Sequence, residues 1–350
     1  MKNIYVISPS GKFYGSEQVL FDFLKTTEQR YHVFAPQGMF YDKLIEQGKH
    51  HIHQFSSVNK MYLRIMLDML VGRCDGVYIN EGGHSRYIRL LSQLFPHKRF
   101  FIHVRLLEDC AMNRLGTKRP NIEYISVSQY ITDEVKKNTG IDCHTIHDLY
   151  VPTQQMTYRP IPDSDVIRAG IVGRVTDTKG LADVVSFCRY VETLSELPKK
   201  LELHFYGAIN EQSELATSFV NESASYKNVK CVFHGFVNDK ELIYRGGVNY
   251  LLHLNKIEPL GRIFLEAIDY GLPLLGFASG GIGEIANCLG LRDLMINCND
   301  SEWKHKLLHN CVTLPNNWSA ELYSLCYQNL VQYFSPRTYT NSIEQIFNNE

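Results

Sequence analysis

The chain has 350 residues, 44% of them hydrophobic and 21% charged, with a formal net charge of −1. These values are typical of a soluble globular protein long enough for two sizeable cores. No apolar run approaches the roughly 20 residues of a membrane span, and the first ten residues predict a strand rather than a signal peptide. Nine cysteines without a CxxC pair favour a reducing cytosol and argue against a disulfide framework or a zinc site.

The first 150 residues alternate short apolar runs with helical patterns, which indicates an α/β sheet. Residues 4–8 predict a strand and residues 10–15 a glycine-bearing loop, after which Ser16 is expected to cap a helix through residue 24. A strand, a glycine loop and a helix N-terminus make a phosphate or sugar cradle at Gly15 an open interpretation. This half is slightly basic, which is compatible with an anionic membrane surface, but it lacks the basic stripe of a nucleic-acid binder.

The histidines and methionines of the first 150 residues allow two further interpretations. His51 and His53 would share one face of a strand, but without a Cys or carboxylate at ligand spacing they do not indicate a metal. Residues 59–70 have Met61 and Ile65 at helical spacing, which predicts a core-facing helix, with a membrane-surface helix as the alternative. Residues 77–80, 100–104 and 124–128 predict further strands, and a lone His103 at a strand end is by itself best interpreted as a core residue.

Three prolines in residues 148–162 mark a linker, after which a second α/β pattern begins. Residues 169–174 predict a strand ending at Gly173 and Arg174. After four intervening residues, Lys179 precedes a helix from residue 181. An Arg and a Lys beside a glycine turn suit a diphosphate, because Arg offers a planar fork and Lys a point charge. A solvated basic turn is the alternative.

Residues 248–284 predict strand, loop, helix, strand and glycine turn. Glu258 falls in the loop at the carboxyl end of the first strand, where open α/β sheets bind ligands, and Glu266 lies more than one turn into the helix. The amides near Leu260 and Gly261 stand at a helix N-terminus, which attracts phosphate. Taken singly, each glutamate is better interpreted as a solvated surface acid.

This segment resembles the E-x7-E region of the retaining family 4 glycosyltransferases, with that family's G-x-P strand (Gly271, Pro273) and G-G-x-x-E turn (Gly280, Gly281, Glu284) after it. The chain has Leu260 where the family usually has an aromatic residue. The spacing from Gly173 to Gly180 is similar to the family's diphosphate site, residues 14–17 resemble its N-terminal glycine loop, and residues 229–242 resemble its base-binding turn.

The resemblance implies the GT-B fold, two Rossmann-like domains facing each other across a cleft. The first domain would be acceptor-side and span residues 1–150 plus 335–350, and residues 151–334 would bind the donor. The implied catalytic residues are His103, Arg174, Lys179 and Glu258. The implied donor-binding residues are Gly15, Gly173, Phe236, Val237, Leu260, Gly261 and Glu266.

The function implied is metal-independent, retaining transfer of a hexose-type sugar from a nucleotide-diphosphate donor to an acceptor hydroxyl, in surface polysaccharide or glycoconjugate synthesis. The acceptor would be a saccharide, a lipid-linked compound or a protein, no cofactor is expected, and the location would be cytoplasmic, at or near the inner face of the membrane. A sugar-nucleotide epimerase of the same fold is the alternative, with Glu81, Glu108 and Asp109 as conceivable acid and base groups. A non-catalytic binding subunit would tend to lose the cations and Glu258, which this chain retains.

Overall fold

The chain divides into two compact units in the computed structural model, which describes residues 2–349. The first unit is Met1–Val151 with Tyr333–Glu350, and the second is Pro152–Gln332. Residues 1 and 350, which the predicted first domain includes, lie outside the described residues. Each unit is built on one parallel sheet with helices between its strands. The α/β architecture expected from the sequence, with two Rossmann-like units, is confirmed.

The first unit holds a seven-stranded sheet in the order β3-β2-β1-β4-β5-β6-β7. Its strands are β1 Ile4–Ile7, β2 His32–Pro36, β3 His51–Phe55, β4 Gly76–Ile79, β5 Arg99–Val104, β6 Ile122–Ser126 and β7 His144–Thr145. Its helices are α1 Gly15–Thr26, α2 Met39–Gln47, α3 Val58–Leu70, α4 Ser85–Leu94, α5 Met112–Leu115 and α6 Gln129–Thr139, joined late in the chain by α14 Pro336–Asn348.

The helix α14 completes the core of the first unit. Its Tyr339, Ile343, Ile346 and Phe347 are buried together with apolar residues of β1, α1 and β2. The helix begins at its N-cap Ser335, which accepts from the Thr338 amide at 3.1 Å and precedes a proline in the first turn. Residues far apart in the chain therefore share one core.

The second unit holds a six-stranded sheet in the order β10-β9-β8-β11-β12-β13. Its strands are β8 Val166–Val172, β9 Lys200–Tyr206, β10 Val229–Phe233, β11 Tyr250–His253, β12 Leu274–Phe277 and β13 Met295–Ile296. Its helices are α7 Leu181–Glu192, α8 Glu214–Ser223, α9 Lys240–Arg245, α10 Arg262–Asp269, α11 Gly280–Leu289, α12 Trp303–Asn317 and α13 Ala320–Tyr333.

Strand order places a binding edge in the second unit. The chain proceeds outward from β8 to β10, then returns to the other side of β8 with β11, so the direction of winding reverses between β8 and β11. Ligands of open α/β sheets bind beyond the carboxyl ends of the strands at such a reversal. A ligand-binding site is therefore expected at the loops that follow β8 and β11.

Two local predictions were wrong. Ser16 does not cap the first helix, because the helix begins one residue earlier and Tyr14 is the N-cap residue, whose amide donates to the Glu17 carboxylate at 3.0 Å. Glu17 is three residues beyond the cap, the position from which a carboxylate reaches back to the cap amide. The residues from Gly280 onward, expected to form a turn, form the first turns of α11.

The helix expected over residues 59–70 is confirmed as α3, with Met61, Ile65 and Met69 buried in the core and Met66 only partly buried. Its opposite face is apolar as well, because Leu63 and Leu67 are each 53% exposed. Among residues 2–349, no helix combines the length and apolarity that crossing a bilayer requires.

Candidate active site

An ion pair joins the loops that follow β8 and β11. Lys179 ends a short 3-10 turn, Asp177–Lys179, directly before α7. Its Nζ lies 3.0 Å from Oε2 of Glu258, which follows β11. The structure thus brings together two predicted site residues that are 79 positions apart in the chain, and it does so at the edge where the winding of the sheet reverses.

Glu258 is held as a carboxylate by three neighbours. Asn255 Nδ2 donates to its Oε2 at 2.9 Å, and His253 Nε2 lies 3.8 Å from the same oxygen. Burial alone would raise the pKa of Glu258, but Lys179, His253 and Asn255 together hold that pKa below its ordinary value. The group is therefore an ionised acceptor at neutral pH, suited to accept hydrogen bonds from hydroxyl groups.

Close backbone contacts fix the loop of Glu258. The amide of Gly281 donates to the Glu258 carbonyl at 2.9 Å. A Cβ on Gly281 would stand 2.4 Å from Leu260 Cα, so only glycine permits this contact. Gly261 has a φ of +89°, the left-handed region that favours glycine, and begins α10 without a side-chain cap. These contacts explain why the two turns carry glycines.

The side chain of Leu260 is buried, at 4% exposed, and packs into the second unit. What this residue can offer a ligand is therefore its backbone. The replacement of an aromatic residue by leucine at this position is compatible with the donor-binding role that was predicted for its amide.

Arg174 lies at the end of β8 beside Gly173, whose φ of +133° again requires glycine. Its side chain is exposed and has no hydrogen-bond or ion-pair partner among the described residues. Gly207, at the end of β9, packs against this turn so closely that a Cβ there would stand 1.9 Å from the Gly173 carbonyl oxygen. A rigid turn thus presents an unpaired guanidinium at the same edge of the sheet as Lys179.

Glu266 lies in α10, as predicted, and both of its oxygens have partners. Lys240 Nζ is 3.0 Å from Oε1, and the Tyr244 hydroxyl donates to Oε2 at 2.7 Å. Phe236 and Val237 lie in the loop between β10 and α9, and Phe236 is 79% exposed. Lys240 opens α9, so the predicted base-binding turn leads directly into the helix that contacts Glu266.

His103 is fully buried in the first unit, where its Nδ1 lies 2.8 Å from the Tyr78 hydroxyl and 3.4 Å from Nη2 of Arg105. Burial, with Arg105 nearby, lowers the pKa of this imidazole well below its ordinary value. Its Nε2 is buried without a hydrogen-bond partner among the described residues. The catalytic role of His103 stays a prediction.

Arg105 and Asp148 form a buried ion pair beside that histidine. The Arg105 guanidinium contacts the Asp148 carboxylate, and its other nitrogens donate to the Asn80 carbonyl at 2.8 Å and the Tyr339 hydroxyl at 3.2 Å. Both charged residues are only 5% exposed. The pair therefore connects three parts of the first unit, namely the end of β5, the segment before the linker, and α14.

Carboxylates of the first unit gather around the start of α1. Ser16 Oγ donates to Glu81, and Asp109 accepts from the Gly82 amide at 3.2 Å. Burial raises the pKa of Glu81 and raises the pKa of Asp109 to about 6. Gly15 is the exposed first residue of that helix. The acids considered for an epimerase thus belong to the first unit, whereas Lys179 and Glu258 belong to the second.

The histidine cluster of the first unit is a stack of rings. His32 Nδ1 lies 2.8 Å from His53 Nε2, and the two rings are parallel with centroids 5.1 Å apart. Across residues 2–349, no group of three or more His, Cys, Asp or Glu side chains is arranged to hold a metal ion.

Asn255 and His253 belong to the site and were missed from the sequence. They interrupt an apolar run at the carboxyl end of β11 as Leu-His-Leu-Asn, so a polar pair just before Glu258 was the available signal. Burial lowers the pKa of His253, and its Nε2 is buried without a hydrogen-bond partner among the described residues. An imidazole nitrogen without a hydrogen-bond partner among the described residues thus lies beside the Glu258 carboxylate.

Residues 160–307, which include every one of these second-unit residues, match the family model described as "Glycosyl transferases group 1". The match covers most of the second unit, which is therefore similar to that family over residues 160–307. Lys179, Glu258 and Glu266 all lie in the matched segment. A search of curated protein sequences found no match to the chain.

Solved structures agree on the fold over the whole chain. Anabaena HepE in complex with UDP-glucose has a TM-score of 0.70 at 16% identity, covering 99% of each chain. The lipopolysaccharide outer core galactosyltransferase WaaB has a TM-score of 0.68 at 16% identity, with 99% of each chain covered. The sucrose-phosphate synthase of Thermosynechococcus elongatus has a TM-score of 0.66 at 14% identity, covering 99% of this chain and 98% of the other. The fold is therefore GT-B, and none of these three matches is an epimerase.

Proposed function

We propose that the protein is a retaining glycosyltransferase that moves a hexose-type sugar from a nucleotide-diphosphate donor to an acceptor hydroxyl. The observation that carries the proposal is the pairing of Lys179 with the ionised Glu258, beside the unpaired Arg174, within the segment that matches the group 1 glycosyltransferase model. HepE was solved with UDP-glucose, which supports a nucleotide sugar as the donor class.

The cations act on the leaving group. As the bond from the sugar to the diphosphate stretches, negative charge grows on the phosphate oxygens and the sugar becomes oxocarbenium-like. Arg174 and Lys179 stabilise that charge together with the first amides of α10, and such preorganised electrostatic stabilisation is usually the largest catalytic contribution. Glu258 accepts hydrogen bonds from sugar hydroxyls, and Glu266 accepts from the nucleotide ribose while Phe236 and Val237 meet the base.

The anomeric configuration is retained when the acceptor hydroxyl attacks the same face of the sugar that the diphosphate leaves. A double displacement needs a nucleophilic carboxylate on the opposite face of the sugar. Glu258 is assigned to the sugar hydroxyls and is already bonded to Lys179 and Asn255. We therefore assign the acceptor proton to a departing phosphate oxygen. Proton NMR of the anomeric centre in the product tests the stereochemistry, and an inverted configuration contradicts this assignment.

In this proposal the acceptor binds to the first unit and the donor binds to the second. A saccharide, a lipid-linked compound or a protein is the acceptor class, and surface polysaccharide or glycoconjugate synthesis is the proposed setting. A cytoplasmic location with peripheral membrane contact is part of the same proposal. The exposed leucines of α3 support the membrane contact, because amphipathic faces of this kind rest in the interface of a bilayer.

A donor screen tests the function. The protein is incubated with several sugar nucleotides, with and without candidate acceptors, and release of the nucleoside diphosphate is followed. A glycosyltransferase releases diphosphate with a preferred donor and faster with its acceptor. An epimerase interconverts sugar nucleotides without an acceptor, and a binding subunit releases nothing, so either result contradicts the proposal.

Activity is expected to persist in excess chelator, because Arg174 and Lys179 supply the positive charge that a divalent ion gives in other transferases. The measurement is the initial rate in excess EDTA against the same rate in buffer. Loss of activity with EDTA that Mg²⁺ or Mn²⁺ restores would show that a metal ion takes part.

The two glutamates are expected to fail differently when changed to glutamine. Ribose contacts are similar in the ground and transition states, so Glu266→Gln should mainly weaken donor binding. Sugar contacts tighten as the ring flattens, so Glu258→Gln should lower turnover more than donor affinity. Calorimetric titration with the nucleoside diphosphate decides between the roles: its affinity should fall for Glu266→Gln and hold for Glu258→Gln, and the reverse pattern exchanges the two assignments.

A further inference from the structure

Three arginines line one cavity in the first unit, and none of its lining residues is among those assigned to the donor. The cavity has a volume of about 540 Å³, and its lining is Arg86, Tyr87, Arg89, Leu90, Gln93 and Arg119. Five of these residues lie on α4, and Arg119 comes from the segment before β6. None of them is a carboxylate, so the lining carries a net charge of +3.

The positive charge of this cavity is uncompensated. None of Arg86, Arg89 and Arg119 forms an ion pair with any described residue, although 36 Lys and Arg face 37 Asp and Glu in the chain. The Nε atoms of Arg89 and Arg119 are buried and have no hydrogen-bond partner within the described part of the chain. Buried guanidinium nitrogens without partners are costly, which indicates that a ligand normally supplies the acceptors.

The backbone leaves room for the guanidinium of Arg89. Gly116 has a φ of +66°, and a Cβ at this position would stand 2.0 Å from Cζ of Arg89, so only glycine leaves room for the guanidinium. Beneath the arginines lies Tyr124, whose hydroxyl is also buried without a partner. Burial raises the pKa of Tyr124 to about 12, although Arg89 and Arg119 act in the opposite direction. The cavity is thus a built feature of the fold rather than a chance grouping of flexible side chains.

We propose that this cavity binds a phosphate or diphosphate group, at a site separate from the donor site. Guanidinium groups present planar pairs of donors that match phosphate oxygens, and the cavity has room for such a group with a small substituent. The group has two sources, the headgroup of an anionic lipid and a soluble phosphate ester. Leu90 and Leu94, at 54% and 55% exposed on the same helix, give the first source an apolar surface to rest on.

Inorganic pyrophosphate tests the site directly. Titrations use the full chain carrying Arg174→Ala and Lys179→Ala, so that binding in the second unit does not contribute and failure of the proposed function leaves this result intact. We expect one binding event, and Arg86→Gln with Arg119→Gln should weaken it about tenfold or more, because each hydrogen bond to a charged group is strong. Arg73→Gln, an exposed arginine after α3, is the control for loss of a positive charge elsewhere on the first unit and should leave the affinity unchanged.

Vesicles separate the two sources. The same variants are sedimented with phosphatidylcholine vesicles with and without phosphatidylglycerol. Binding to anionic vesicles that the Arg86→Gln and Arg119→Gln changes abolish and Arg73→Gln keeps assigns the site to a lipid headgroup. Pyrophosphate binding with the same dependence but without vesicle binding assigns it to a soluble phosphate ester. If the paired change affects neither ligand more than Arg73→Gln does, the proposal is overturned.

Discussion

Replacing Asp148 with alanine is expected to lower the free energy of unfolding of the first unit by about 3–5 kcal/mol, the usual cost of removing one partner of a buried ion pair. The change leaves Arg105 charged and 5% exposed, with only neutral partners such as the Asn80 carbonyl and Tyr339. Because Tyr339 belongs to α14, the docking of that helix should weaken as well. The loss is large beside the stability of most domains.

The positions of the tryptophans allow the loss of stability to be assigned to the first unit. Both tryptophans of the chain, Trp303 and Trp318, lie in the second unit. Urea unfolding followed by far-UV circular dichroism should therefore show an early transition in Asp148→Ala that tryptophan fluorescence does not report. Asp142→Ala, which removes the exposed ion pair with Lys136, is the control and should leave both curves unchanged. An unshifted dichroism curve for Asp148→Ala would contradict a stabilising role of the buried pair.

Arg174→Ala and Lys179→Ala are each expected to lower turnover by on the order of 10² or more, as removal of one transition-state donor typically does. The fold should survive, because Arg174 is exposed in a turn and Lys179 is partly exposed. Lys179→Ala has a second effect, since it removes the cation that helps to hold the Glu258 pKa down. Its turnover should therefore fall more steeply below neutral pH than that of the Arg174 variant, as Glu258 takes up a proton.

A matched control is available for the lysine. Lys230 also places its Nζ 3.0 Å from a carboxylate, that of Glu202, but on the β9 and β10 side of the sheet. Lys230→Ala should keep its turnover, and circular dichroism should show the same fold for all three variants. Near-normal turnover of Arg174→Ala or Lys179→Ala would remove the basis for a diphosphate site at this edge.

Local patterns were enough for most of the fold. Strands and helices of both units follow from apolar runs separated by turn residues, and the start of α14 follows from a serine placed directly before a proline. Glu258 was placed correctly in the loop after β11 because the carboxyl end of a strand is itself a sequence-readable position. Lys179 could be assigned to the same site as Glu258 only from the family resemblance. No local pattern specifies a contact between two residues that are 79 positions apart.

Local spacing does not specify the surroundings of single side chains or the choice among neighbouring polar residues. His103 occupies a strand end, and no local spacing records its contacts with Tyr78 and Arg105. His253 and Asn255 were overlooked because an apolar run with two polar interruptions looks like an ordinary buried strand. Their role becomes visible only when the loop folds back on Glu258.

The return of α14 to the first unit has a consequence for synthesis on the ribosome. The second unit is, in topological terms, an insertion into the first, and every strand it needs has emerged before residue 333. Domains generally fold as units during translation, with the N-terminal one leading. Here the leading unit cannot bury Tyr339 and Phe347 until the insertion has already left the exit tunnel. The order is therefore reversed, and the nascent first unit is a natural client for a chaperone during that interval.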